Sequence, residues 1–298
     1  MEIRNVHANG VEFAYLTMGE GPLALCLHGF PDTAHTWRHL MPALAERGYR
    51  AVAPFMRGYA PTEVPADGAY EQAALVADVR ALHEELGGDA DAVVVGHDWG
   101  AFPIYLTAGR FRRAVALAVP PPGVLGSSFL DYDQLKRSFY VFLFQTGMAE
   151  AAASRPGFLD NLWRDWSPGY DARQDLEFVR RSIGAPANLS AAIGYYRSML
   201  GTTPPSGRYP EVESKVTGPV LYLHGAQDGC LSAELTRDAP GHLPEGSRVQ
   251  QVAGTGHFLH LERPAEVNRL ILDWLGPASS AELTQIRPMG FTPGSGPF

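Results

Sequence analysis

The sequence predicts an α/β fold: a mostly parallel central sheet flanked by helices, with an inserted helical cap. Three observations carry this. Short apolar runs alternate with amphipathic stretches of helical period, the pattern of parallel strands crossed by helices. That alternation stops between Pro120 and Pro219, where the segments read as helical and rich in aromatics. At 298 residues with 45% hydrophobic content, the chain is long enough to bury a full core.

In chain order, the first strand expected is Val11 to Met18, followed by a strand from Leu23 to His28 and a helix from Trp37 to Arg47. A strand from Arg50 to Pro54 leads to the helix Tyr70 to Leu86, whose Ala74, Leu75, Val79, Leu82 and Leu86 fall on a helical period and which Gly87 and Gly88 stop. A strand from Ala92 to Gly96, a helix from Ala101 to Gly109 and a strand from Ala114 to Val119 close the first half. Beyond the insertion come strands Val220 to His224 and Arg248 to Val252 and a helix Pro264 to Leu275. The division expected is a core over 1–121 and 217–276, a helical cap over 122–216, and a flexible or loosely docked tail over 277–298, where Pro, Gly and Ser replace periodic apolar residues.

Composition excludes several classes. A net charge of -8 with no clustered Lys/Arg stripe gives no footprint for a phosphate backbone, so nucleic acid is not an expected partner. The first ten residues lack the apolar core of a secretion signal, and no run approaches the roughly 18 apolar residues of a membrane span. A cytoplasmic protein is expected. Cys26 and Cys230 stand in or beside apolar runs without metal-ligand spacing and read as buried small hydrophobes.

The most informative stretch is Gly96-His97-Asp98-Trp99-Gly100. A β-branched strand that stops at Gly-X-Asp-X-Gly and resumes as helix has the form of a nucleophile elbow, a strained turn whose central side chain points into a pocket. Where the commoner elbow carries serine, Asp98 would attack carbon and form an ester. The plainer reading is a helix N-cap in an ordinary turn. Ester hydrolysis needs a base and a group to orient it, and both have candidates at strand ends: His257 after the last strand and Asp228 after the one before. The alternative place for such an acid, after Ala114 to Val119, holds only prolines and a glycine. His28-Gly29-Phe30-Pro31 closes another strand, so the Phe30 and Trp99 N–H groups form a candidate oxyanion hole. His28 and His97 are read as loop braces, and no metal site is expected.

Taken together, His28-Gly29-Phe30-Pro31, Met56-Arg57-Gly58-Tyr59, Gly96-His97-Asp98-Trp99-Gly100 and Gly256-His257-Phe258 resemble the α/β-hydrolase-fold epoxide hydrolases over roughly residues 10 to 276. The resemblance implies two cap tyrosines that hydrogen-bond the epoxide oxygen. The segment from Ser138 to Gln145 points to Tyr140, and Tyr195-Tyr196-Arg197-Ser198 points to Tyr196, with Tyr195 as the alternative. Two departures stand out: Phe55 occupies the place of an aspartate two residues before the arginine, and the turn at Thr146-Gly147 is one residue shorter, which bears on the aim of Tyr140.

The expected function is hydrolysis of an epoxide to a diol through an aspartyl ester. Asp98 is the nucleophile, His257 and Asp228 are the base and its partner, and Tyr140 and Tyr196 are the oxygen donors. Phe139, Phe144, Trp163 and Trp166 are candidate pocket walls, with Phe142 a further aromatic of the same segment. No cofactor is expected. The expected partner is a small-molecule epoxide, and a homodimer stays open. A haloalkane dehalogenase is the nearest alternative, since the Trp99 indole can bind halide, but Phe30 offers no second donor. A receptor without turnover is the alternative from another class.

Overall fold

A computed structural model describes residues 2–213 and 215–278. Its sheet has eight strands: β1 (Glu2–Ala8), β2 (Val11–Met18), β3 (Leu23–Leu27), β4 (Arg50–Pro54), β5 (Val93–His97), β6 (Arg113–Leu117), β7 (Val220–Gly225) and β8 (Arg248–Val252), in the spatial order β1-β2-β4-β3-β5-β6-β7-β8. The pairs β1·β2 and β2·β4 are antiparallel and the rest parallel. Val95 is in register with Cys26 on one side and Val115 on the other. All residues of β3 and β5 are buried, as expected for strands covered on both faces, where apolar runs are unbroken.

Two local differences from the sequence reading have physical causes. Strand β1 was not expected, because its side chains are mostly exposed; it joins the sheet edge through backbone pairing with β2. The helix expected over 37–47 divides into a 3-10 turn, Ala34–His39, and an α-helix, Leu40–Glu46. Pro42 lacks an N–H and is tolerated only in a first helical turn, so the α-helix starts just before it.

Between β6 and β7 the described residues form helices and no strand: Pro122–Ser128, Tyr132–Arg137, Phe139–Leu143, Ala149–Ala153, Phe158–Trp166, Arg173–Ile183 and Pro186–Met199. This layer is tied to the loops that follow the strands. The Trp163 indole N–H donates to the Pro31 carbonyl (2.9 Å), Tyr195 Oη to that of Arg57 (2.9 Å) and the Asn188 amide to that of Gly58 (2.8 Å). The Trp166 carbonyl accepts the N–H groups of both Gly229 (3.1 Å) and His257 (2.9 Å). No helix among the described residues is long and apolar enough to cross a membrane. The expected tail at 277–298 lies almost wholly outside the described residues; within them, Tyr49 Oη donates to the Pro277 carbonyl.

Candidate active site

The strand-to-helix turn at Asp98 depends on two glycines. A Cβ on Gly96 would lie 2.3 Å from the Gly100 carbonyl oxygen, and one on Gly100 would lie 2.3 Å from that of Leu27. Asp98 itself has φ +52°, a strained value for a non-glycine residue, held between β5 and the helix Ala101–Thr107. Its Oδ1 accepts the Phe30 N–H at 2.7 Å. Gly29 brings the β3 loop this close: a Cβ there would sit 2.3 Å from Asp98 Oδ1 and 2.5 Å from the Trp99 nitrogen. The Phe30 amide therefore holds one carboxylate oxygen, and the Trp99 nitrogen also borders Gly29.

His257 and Asp228 converge on the other oxygen. His257 Nδ1 lies 2.9 Å from Asp228 Oδ2, and His257 Nε2 lies 3.5 Å from Asp98 Oδ2, at the edge of hydrogen-bonding range. Asp228 Oδ1 accepts the N–H groups of Cys230 (2.7 Å) and Leu231 (3.0 Å), which fixes the carboxylate against the imidazole. Burial opposes the His257 charge, yet the Asp228 and Asp98 carboxylates outweigh it and raise its pKa to about 10. Burial likewise pushes Asp98 and Asp228 up, but His257 overcomes this and holds both below the usual carboxylate range. Both carboxylates thus favour the charged form of the imidazole between them.

Opposite Asp98, the inserted helices supply two hydroxyls. Tyr140 and Tyr196 have ring centroids 5.5 Å apart, and both pack on Phe30. With Asp98 they line a chamber of about 30 Å³. Burial raises both phenols well above their ordinary range, so they remain donors. Among the described residues the Tyr196 hydroxyl has no hydrogen-bond partner, whereas that of Tyr140 meets Cys230 Sγ at 3.5 Å. Tyr195 faces away, its hydroxyl committed to the Arg57 carbonyl. The shortened Thr146-Gly147 turn leaves Tyr140 in the chamber.

The expected aromatic walls need correction. Phe139 is 50% exposed and lies outside the chamber, as does Phe142 at 37%. On a helix, neighbours at i and i+1 point about 100° apart, so with Tyr140 and Val141 turned inward, Phe139 and Phe142 face out. Phe144, one turn after Tyr140, is buried behind the tyrosines against Phe30 and Tyr196. Trp163 stacks on Phe258 at 3.5 Å, and Trp166 packs 5.1 Å from both Tyr140 and His257. These three support the site without lining the chamber, whose apolar wall is instead Trp99, Phe102, Leu125, Phe129, Val141 and Met199. Phe55 is buried against His35. Arg57 makes a buried bidentate pair with Asp78 on the helix Gln72–Glu85.

His28 accepts the Met56 N–H through Nε2 and contacts the Gly29 carbonyl through Nδ1, while His97 Nε2 reaches the His257 carbonyl at 3.0 Å. Sequence reasoning missed a buried group formed by Asp32, His97 and His260. Their ligand atoms lie within 4.8 Å of one another, and among the described residues Asp32 Oδ2, His97 Nδ1 and His260 Nδ1 have no hydrogen-bond partner. These are the residues that could hold a cation. Burial raises the Asp32 carboxyl to about 8, so a shared proton would satisfy the same atoms.

A family profile described as alpha/beta hydrolase fold matches residues 22–264, which makes the chain an α/β hydrolase by class. Within that class it belongs to the epoxide hydrolase family. Epoxide hydrolase A of Mycobacterium tuberculosis is 31% identical over 91% of this chain and 96% of that protein. Epoxide hydrolase 3 of Xenopus tropicalis is 31% identical over 90% of this chain and 75% of that protein. Among solved structures, Bacillus megaterium epoxide hydrolase in complex with an inhibitor is similar with a TM-score of 0.78 at 28% identity, covering 91% of this chain and 99% of that one.

Proposed function

We propose that this chain hydrolyses an epoxide to a vicinal diol through an ester on Asp98. The observation that carries the reading is the placement of two donor hydroxyls, Tyr140 and Tyr196, in the same 30 Å³ chamber as Asp98, with His257 Nε2 3.5 Å from the carboxylate. Asp98 Oδ1 is held by Phe30, so Oδ2 is the free oxygen and attacks an oxirane carbon. The carbon–oxygen ring bond breaks, and the ring oxygen takes a proton from one tyrosine while the other stabilises it.

Ester formation removes the charge of Asp98. The imidazolium loses one of its two counter-charges and returns a proton to the tyrosinate, which leaves His257 neutral. It then accepts a proton from water as the water oxygen attacks Asp98 Cγ, and Asp228 stabilises the imidazolium that re-forms. The oxyanion develops on Oδ1, already bonded by the Phe30 N–H, with the Trp99 N–H as the second donor. Collapse releases the diol, whose second proton comes from the water, and restores the aspartate. These steps balance without a cofactor. In this reading residues 122–216 are the cap over the core, and the two buried free thiols fit a cytoplasmic setting.

The test offers epoxides and haloalkanes of matched carbon skeleton and follows diol and halide. Diol from the epoxides is expected, and it should vanish in Asp98→Asn. Faster halide release would favour the dehalogenase, and silence on both with tight small-molecule binding would favour the receptor.

A further inference from the structure

Two cavities meet at the elbow and differ about eighteenfold in volume. The chamber over Asp98 offers about 30 Å³. Beside it opens a vestibule of about 550 Å³ between the helix Ala101–Thr107, the segment 122–130 and the end of the helix Pro186–Met199. That volume falls in the range of sites for drug-sized ligands. Trp99, Phe102, Leu125, Phe129 and Met199 line both spaces, so they stand at the boundary, the neck that a substituent would have to pass. No charged side chain lines the vestibule, and the chamber has one, the carboxylate of Asp98.

From this pair of volumes we infer that the enzyme is built for terminal epoxides carrying one large, uncharged, apolar substituent. The inference rests on the epoxide reading above. The unsubstituted end of the oxirane enters the chamber, where there is room for little beyond the ring, and the single substituent passes the neck into the vestibule. An internal epoxide carries a second substituent on the far carbon. That group meets Val119, Val141 and Leu231, which line the chamber and are mostly or wholly buried, so it must overpack a closed wall. A carboxylate on the substituent would give up hydration in the vestibule and find no cation there.

The experiment measures kcat/KM by diol formation for 1,2-epoxides of increasing chain length, for their positional isomers with the ring moved inward, and for a carboxylate and methyl ester pair at the far end. Among the terminal substrates kcat/KM should rise by up to about fourfold per methylene until the vestibule is filled. Inward isomers should be at least about tenfold poorer, and the carboxylate poorer than its ester. Val141→Ala enlarges the chamber and should raise the internal-to-terminal ratio, with folding checked by circular dichroism and melting temperature. Internal isomers as good as terminal ones, no dependence on tail length, or an unchanged ratio in folded Val141→Ala would overturn the inference while leaving the hydrolase reading intact. No diol from any member would overturn the hydrolase reading and this inference with it.

Discussion

Removing the charge of Asp98 should make His257 release its proton near neutral pH. In the intact site the Asp228 and Asp98 carboxylates raise the imidazole pKa to about 10, with Asp228 Oδ2 2.9 Å from Nδ1 and Asp98 Oδ2 3.5 Å from Nε2. A nearby carboxylate favours the charged imidazole, so neutralising one must lower its proton affinity. At an effective dielectric near 20, a charge about 4 Å away is worth about 4 kcal/mol, and a tenfold change in affinity is about 1.4 kcal/mol, so the expected fall is about a thousandfold. That places the midpoint close to neutrality, where a general base works best. Asp98→Asn keeps the size of the side chain and an acceptor for the Phe30 N–H. The assay is an NMR titration of the His257 ring protons in both proteins, with intact mass to show that the asparagine has not deamidated. A midpoint unchanged by the substitution would mean that Asp228 alone holds the proton. Ester formation would then not switch the base on, and the proposed proton route would fail.

Three further outcomes follow from the same geometry. His257→Gln should stop turnover after ester formation, so intact mass after adding substrate should show one substrate mass per chain; an unmodified, inactive protein would move His257 out of the second step. Tyr140→Phe and Tyr196→Phe should each slow ester formation by about a hundredfold or more, and the double variant should be nearly inactive in that step, as read by burst kinetics. Tyr195→Phe, which gives up only a bond to a backbone carbonyl, should spare that step. Gly29→Ala places a methyl 2.3 Å from Asp98 Oδ1, and displacing the nucleophile should lower kcat by about a hundredfold with the fold retained; a fully active variant would show that the loop yields without moving Asp98.

The central parallel strands were legible because burial on both faces writes itself as apolar runs, as in β3 and β5; β8, mostly exposed, still falls at the residues read from the sequence. Strand β1 was not, since an edge strand held by backbone pairing and mostly exposed carries little apolar signal. The groups at Asp98, Asp228 and His257 were readable as strand ends, each next to glycines that mark close backbone approach. The tyrosines were different: neither periodicity nor composition separates Tyr196 from Tyr195, and only the turn of the helix sends one hydroxyl to the chamber and the other to Arg57. Backbone donors such as Cys230 and Leu231 on Asp228 leave no trace in residue identity. Nor do contacts between distant segments, which is why the Asp32, His97 and His260 group went unseen.

The oxygen of Trp166 accepts an N–H from the loop carrying Asp228 and another from His257 itself. The helical roof is therefore pinned at one end to the loops that carry Asp228 and His257, and prying it off there would pull those two residues apart. At the other end Phe129 and Met199 are partly exposed, and there the layer is tied to the core by a side chain, Tyr195 to the Arg57 carbonyl, rather than through the backbone of the Asp228 and His257 loops. An engineer exchanging this roof for that of a relative would, unless the Trp166 peptide were kept in place, dismantle the engine while changing the door.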